Sequence, residues 1–304
     1  MSAAPFLQAT SNLSAVLNSG LPAPPRRDVR AVFHYLNRSI SQETLNLGAN
    51  IATANGYGAL DEAIICTVND VTGRENSFTF NKHGFEYHIR PTKLNICDWE
   101  HQDLVETVYY SEIAEIIKQL TGASYVHVFN HLTRVSQGSE AQPRPVKVQG
   151  RQQVYKAHVD QVPSQIEEHV RYRFPAEEAE RLLRSHFQVI NVWRPIETIY
   201  KDPLAVVGLN SVSAEDFVDL QISLPEGRRG SNVAVRWNPD HCWYYKYAQT
   251  PDEVVLFKQY DSREEAVCFG QVPHSAFVDE AEQDNYARRS VEVRAFVFYE
   301  NNSK

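Results

Sequence analysis

From about residue 60 onward, apolar residues recur in several short runs, some alternating with polar positions at a period of two and some continuous. They are Ile64–Val68, Tyr125–Phe129, Gln188–Trp193, Val254–Phe257 and Val291–Tyr299. Each has the length of a strand and is rich in β-branched and aromatic side chains, so each is predicted to be one. Two segments change period. Ser111–Leu120 sets Ile113, Ile116, Ile117 and Leu120 at helical spacing and stops at Gly122. Pro175–Phe187 opens with Glu177, Glu178 and Glu180 and closes with Arg181, Arg184 and His186, a charge order that complements a helix dipole. Many short strands, few helices and no regular strand–helix alternation predict a mainly β fold, a sandwich or barrel with flanking helices. No fixed-period repeat argues for a solenoid or propeller. The proline-rich segment 1–30 is expected to be an arm, with residues 31–304 forming a single domain.

Composition narrows the function classes. The 304 residues carry a net charge of −8 with no long basic run, so neither nucleic acid nor an anionic membrane has electrostatic support as a partner. The start of the chain shows no continuous apolar stretch, which predicts neither a signal peptide nor a membrane span. The four cysteines lack C-x-x-C spacing and are too few to staple this length, so reduced thiols and a cytoplasmic location are expected. The sequons at Asn12, Asn37 and Asn301 then lack a secretory context. Gly56-Tyr-Gly58 lacks the third glycine of a dinucleotide loop and reads as a turn.

The sharpest local signal is Lys156-Ala-His158-Val-Asp160-Gln161. At strand geometry His158 and Asp160 share a face, and an imidazole and a carboxylate can take two adjacent positions on one metal ion. A third ligand is offered by His274 in Val272-Pro-His-Ser-Ala-Phe277, with His241 as its rival. A long strand follows His274 and carries Arg288, Ser290, Glu292 and Arg294 on one face, with Val291, Val293, Ala295 and Val297 on the other. The polar face is either a solvated surface or the wall of a polar cavity. Two histidines and one carboxylate leave coordination positions of iron open for a bidentate keto acid and for O2. The distal carboxylate of such a keto acid needs a bidentate cation, a role that suits arginine. His158, Asp160, His274, Arg288 and Ser290 therefore form one chemical set.

At this point the chain resembles a known family. Ile190-Asn-Val-Trp-Arg-Pro195, Asp202-Pro-Leu-Ala205, Asp252-Glu-Val-Val-Leu-Phe-Lys258 and Arg288-x-Ser-Val-Glu-Val-Arg294 look like the fungal gibberellin desaturase-like and AsaB-like oxidoreductases, which also include the cephamycin 7-hydroxylase component. The resemblance spans roughly 60–300 and implies a double-stranded β-helix, or jelly roll, with its core at roughly 105–300. It implies Fe(II) as cofactor, 2-oxoglutarate and O2 as co-substrates, and oxidation of a small-molecule secondary metabolite by hydroxylation, desaturation or ring formation through a ferryl species. Carried over by position, His158, Asp160 and His274 would be the iron ligands, and Arg288 with Ser290 the 2-oxoglutarate anchor, with Arg294 a second candidate on the same face. The adjoining Arg289 faces the other way along the strand, so only one of that pair can enter the cavity. His158 and His274 lie 116 residues apart, which requires an insertion such as the 175–187 helix between jelly-roll strands.

Other residues are candidates for the substrate pocket. Asn191 and Trp193 share a strand face with Arg194 opposite, and buried polar groups there need partners, whether in a pocket or in a structural hydrogen-bond set. Arg134, at the end of its strand beside His131, can reach a substrate carboxylate. Trp243 belongs to an aromatic cluster that suits core packing or contact with an apolar substrate. A zinc-dependent hydrolase on the same triad and a non-catalytic small-molecule binder remain alternatives, and the oligomeric state stays open, a homodimer included.

Overall fold

The longest strand, β13 (Arg289–Ser303), organises the computed structural model, which describes residues 26–41, 45, 58–136, 148–223 and 229–303. Its alternation separates two environments. Val291, Val293, Ala295 and Val297 pack beneath Ile113, Ile116 and Ile117 of helix α1 (Tyr110–Thr121). That helix ends at Gly122, whose φ of +73° is reached without strain by glycine and whose N–H bonds Lys118 O at 2.9 Å. Truncating a fully buried isoleucine in this layer costs about 2–5 kcal/mol.

β13 lies between β4 (Tyr125–Val135) and β6 (Ser185–Pro195). β6 pairs with β11 (Glu253–Asp261), and β11 with β3 (Phe85–Ile89), which completes an antiparallel five-stranded sheet. The second sheet has the order β1 (Val29–Leu36), β2 (Asp61–Asp70), β10 (Trp243–Tyr245), β7 (Leu204–Val207), β12 (His274–Ala276), β5 (His158–Val159), β9 (Arg229–Val235) and β8 (Phe217–Ser223). It curls back on itself, because β1 also meets the far side through bridges from His34 to Lys156 and from Leu36 to Arg236. The two sheets pack as a jelly roll. Val206 and His274 turn toward the five-stranded sheet, while Val207, Trp243, Tyr245 and Phe33 fill the space enclosed by the curl.

All five expected strands lie within strands. The second expected helix is shorter than the 175–187 reading: α3 spans Ala176–Leu183, and Ser185–Phe187 already belong to β6. The Phe187 amide donates to Ser262 Oγ and its carbonyl accepts from the Ser262 N–H, so strand pairing overrides the local charge pattern. Helix α2 (Pro163–Arg173) has no counterpart among the expected elements, since Ile166 and Val170 are its only fully buried apolar anchors and give little periodic signal. Three strands before residue 105 also join the sheets. Of the expected arm, residues 1–25 lie outside the described residues, and Val29 and Arg30 already belong to β1.

Candidate metal centre

β5 is two residues long and sits between β9 and β12, with His158 directly opposite both Ala234 and His274. Cross-strand partners share a face, so the two imidazoles meet with ring centroids 4.3 Å apart. Asp160 follows as the strand ends, and its carboxylate oxygens lie 3.8 Å from Nε2 of each histidine. One ligand atom from each of the three falls within 4.8 Å of the others, and this is the one such group among the described residues. Residues 116 apart in the chain thus converge on a point that one ion can occupy.

The surroundings fix the protonation these ligands need. His158 Nδ1 lies 2.8 Å from Lys156 O, a bond that places the proton on Nδ1 and leaves the Nε2 lone pair facing Asp160. Burial pushes His158 down to about 3 and His274 down to about 4, so both rings are neutral at ordinary pH. Burial would raise the Asp160 carboxyl, but the Arg294 guanidinium overrides it and holds the group well below the usual carboxylate range. Arg294 grips Asp160 in a fork, Nε to Oδ2 at 2.9 Å and Nη2 to Oδ1 at 2.8 Å, and also reaches Glu292 at 2.8 Å. Asn191 Nδ2 adds a 2.7 Å bond to Asp160 Oδ2, and Asn191 Oδ1 is buried with no partner among the described residues.

Residues 34–298 match the oxidoreductase/YMDC permease-like domain family. The chain is 34% identical to the alpha-ketoglutarate-dependent dioxygenase tstK of Talaromyces stipitatus, over 77% of this chain and 84% of that protein. It is also 34% identical to the hydroxylase/desaturase efuI of Hormonema carpetanum, over 78% and 84%. A solved structure of the iron and alpha-ketoglutarate-dependent endoperoxidase NvfI shares the fold, with a TM-score of 0.73 and 24% identity over 90% of this chain and 99% of that one. This chain belongs to the Fe(II)/2-oxoglutarate-dependent oxygenases. As an oxidoreductase it sets aside the hydrolase and the non-catalytic binder.

In the oxygenase, the polar face of β13 is enclosed rather than solvated, with Ser290 and Glu292 buried against β6. Arg288, just before the strand, is 3% exposed, donates from Nε to Ser290 Oγ at 3.0 Å and from Nη1 to Asp202 O at 2.9 Å, and stacks 5.0 Å from the Trp193 ring. Among the described residues no carboxylate pairs with it, and burial, with Arg134 nearby, pulls it down to about 10. Arg289 points the other way, to Glu197 at 3.3 Å. Arg134 lies opposite Ser290 in register and donates to Gln152 O at 2.8 Å. Asn191 and Trp193 occupy the inner face as well.

Two candidates are not brought to the site. Arg194 lies on the opposite face of β6, bonded to Tyr109 Oη at 2.9 Å and to Pro251 O. Trp243 is fully buried inside the curl, stacked at 4.0 Å on Phe33 and donating to Tyr35 Oη, on the far side of the sheet from His274. The rival ligand His241 is held by Asp216 at 3.1 Å, away from the triad.

Sequence reasoning also missed one wall. A cavity of about 360 Å³ opens beside Asp160 and is lined by Gln161, Gln165, His169 and Tyr172, the last three spaced along one side of α2. His169 is wedged edge-on against Phe129 and Phe296.

Proposed function

We propose that His158, Asp160 and His274 hold Fe(II), that Arg288 and Ser290 bind the distal carboxylate of 2-oxoglutarate, and that the protein uses them to oxidise a small organic molecule of secondary metabolism. The observation that carries this reading is Arg288: a buried guanidinium with only neutral partners, on the wall that also supplies Arg294 to the triad. Unpaired buried charge is costly, and a dicarboxylate co-substrate removes the cost. Bound iron supplies the activation of O2 that couples decarboxylation of 2-oxoglutarate to succinate with a two-electron oxidation of the substrate.

The chain's own residues do the rest. Trp193 forms a flat floor for the Arg288 guanidinium, and Ser290 fixes its rotation through Nε. Arg134, across the sheet from Ser290, is available to a second carboxylate at the same wall. The substrate enters between Asp160 and α2, where His169, backed by Phe129 and Phe296, excludes water on one side. Similarity to relatives named hydroxylase/desaturase supports removal of a hydrogen from a C–H bond as the common first event. Substrate placement along α2 then selects the outcome.

No helix among the described residues is long and apolar enough to cross a membrane. All four cysteines are free, which supports a reducing compartment such as the cytoplasm. Residues 31–304 act as one catalytic unit, because the triad comes from the curled sheet and the co-substrate anchor from the other.

The test is an anaerobic titration of metal-free protein with Fe(II) and then 2-oxoglutarate, followed by the visible charge-transfer absorption of a chelated keto acid. Wild type should develop the band, while His274→Ala and Asp160→Ala should lack it and lose turnover by at least about a thousandfold. A wild type that binds both components without the band refutes the proposal.

A further inference from the structure

Gln259 lies on β11, in the sheet opposite the metal ligands, at the one place where β11 slips against β6. Lys258 stands opposite Ile190 and Tyr260 opposite Val189, so Gln259 is the extra residue of a β-bulge. A bulge costs ladder hydrogen bonds, re-aims a side chain and recurs beside active sites. Here the side chain is aimed at the triad. Gln259 is fully buried, and its Oε1 accepts the backbone N–H of Asp160 at 2.9 Å. Its Nε2 donates to Lys258 O at 2.9 Å and to Val272 O at 3.0 Å, two residues before His274. The Val272 N–H in turn donates to Lys258 O at 3.0 Å. A second buried glutamine, Gln271, repeats the link by donating from Nε2 to Gln161 O at 2.7 Å.

We infer that Gln259, assisted by Gln271, is a positioning residue that clasps the Asp160 segment to the His274 strand and holds the ligand triad in register before metal arrives. The physical need is specific. β5 is two residues long, so Asp160 lies beyond its last ladder bond and nothing in the strand itself fixes its backbone. A single primary amide satisfies one donor on the Asp160 segment and one acceptor on the His274 segment. Neither an apolar side chain nor a carboxylate can do both. Groups that orient metal ligands are worth about 10–100-fold in metal affinity.

The inference rests on the assignment of His158, Asp160 and His274 as ligands, and the experiment separates the two. Mn(II) binding to the full-length, metal-free protein is measured by electron paramagnetic resonance for wild type, Gln259→Met, Gln271→Met and His274→Ala, with urea unfolding run beside it. Gln259→Met, close in shape but without the amide, should bind Mn(II) at least fivefold more weakly in its folded state, with a smaller loss for Gln271→Met. A change below fivefold in Gln259→Met overturns the clasp, even if stability falls, because a purely structural glutamine lowers stability and leaves the affinity of the folded protein alone. No Mn(II) binding by wild type, or full binding by His274→Ala, overturns the ligand assignment and the clasp with it. If Gln259→Met does not fold, amide hydrogen exchange on metal-free wild type decides. The Asp160 amide should exchange at least about a hundredfold more slowly than in the unfolded chain, and faster exchange overturns the inference.

Discussion

The polar face leading into β13 carries two arginines, Arg288 just before the strand and Arg294 six residues on, and the two are treated in opposite ways. Arg294 is saturated with negative charge: both oxygens of Asp160 and one of Glu292 lie within 2.9 Å of its nitrogens. Arg288 is buried more deeply still, yet a hydroxyl, a carbonyl and an indole face are its only described partners. Burial is therefore not what separates them. One is internally neutralised and, on the proposed reading, is scaffold for the metal ligands; the other is left short of one anion and is the receptor of that reading. A protein keeps a buried charge unpaired where a ligand completes it.

The contrast is tested most severely by removing each cation in turn and measuring the stability of the metal-free protein. Arg294→Met strands two carboxylates, so urea unfolding should show a loss of about 3–5 kcal/mol, partly recovered on adding Mn(II) because the metal binds only the folded state. Arg288→Met should leave metal-free stability unchanged or raise it, since it removes a buried charge that Asp202 and Glu292 offset only from a distance, with no carboxylate in contact. Equal losses in the two variants would erase the distinction between scaffold and receptor.

A smaller effect defines the receptor end. Arg288→Met should raise the 2-oxoglutarate concentration giving half-maximal charge-transfer absorption by about 30-fold or more, the equivalent of about 2 kcal/mol, while Mn(II) affinity stays as in wild type. A shift in Mn(II) affinity as large as that in 2-oxoglutarate would show the two ends to be a single unit.

The smallest effect belongs to neither arginine. Burial, followed by Arg173, pushes His169 down to about 4, and Arg173 Nε donates to its Nε2 at 3.1 Å. In the unfolded chain a histidine titrates near 6.5, so between that pH and about 4 the unfolded state binds more protons, and stability falls as pH drops through this window. His169→Gln should lessen the fall in unfolding midpoint between pH 6.5 and 4.5 and leave Mn(II) and 2-oxoglutarate binding untouched. An unchanged pH profile would mean that His169 is not held neutral by its aromatic surroundings.

The parts of the site legible from the chain are those written in local period. His-x-Asp at strand spacing, and Arg288, Ser290, Glu292 and Arg294 at every second position, put side chains on shared faces through spacing alone. The alternation cannot say whether the polar face is solvated or enclosed, because that depends on which sheet lies opposite. Arg194 and Trp243 show the same limit in reverse. Both stand out in the sequence, and both are committed to packing: Arg194 against Tyr109 on the outer face, Trp243 against Phe33 inside the curl.

A β-rich fold, the His158–Asp160 pair and the wall strand were thus readable from the amino-acid order, because strand periodicity and ligand chemistry are properties of neighbouring residues. Three features came only with the folded chain: His274 lands opposite His158, a bulge delivers Gln259 to the Asp160 backbone, and α2 lines the cavity beside Asp160. Each of these is a pairing between distant segments, set by which sheets and strands pack together and carried by no local pattern.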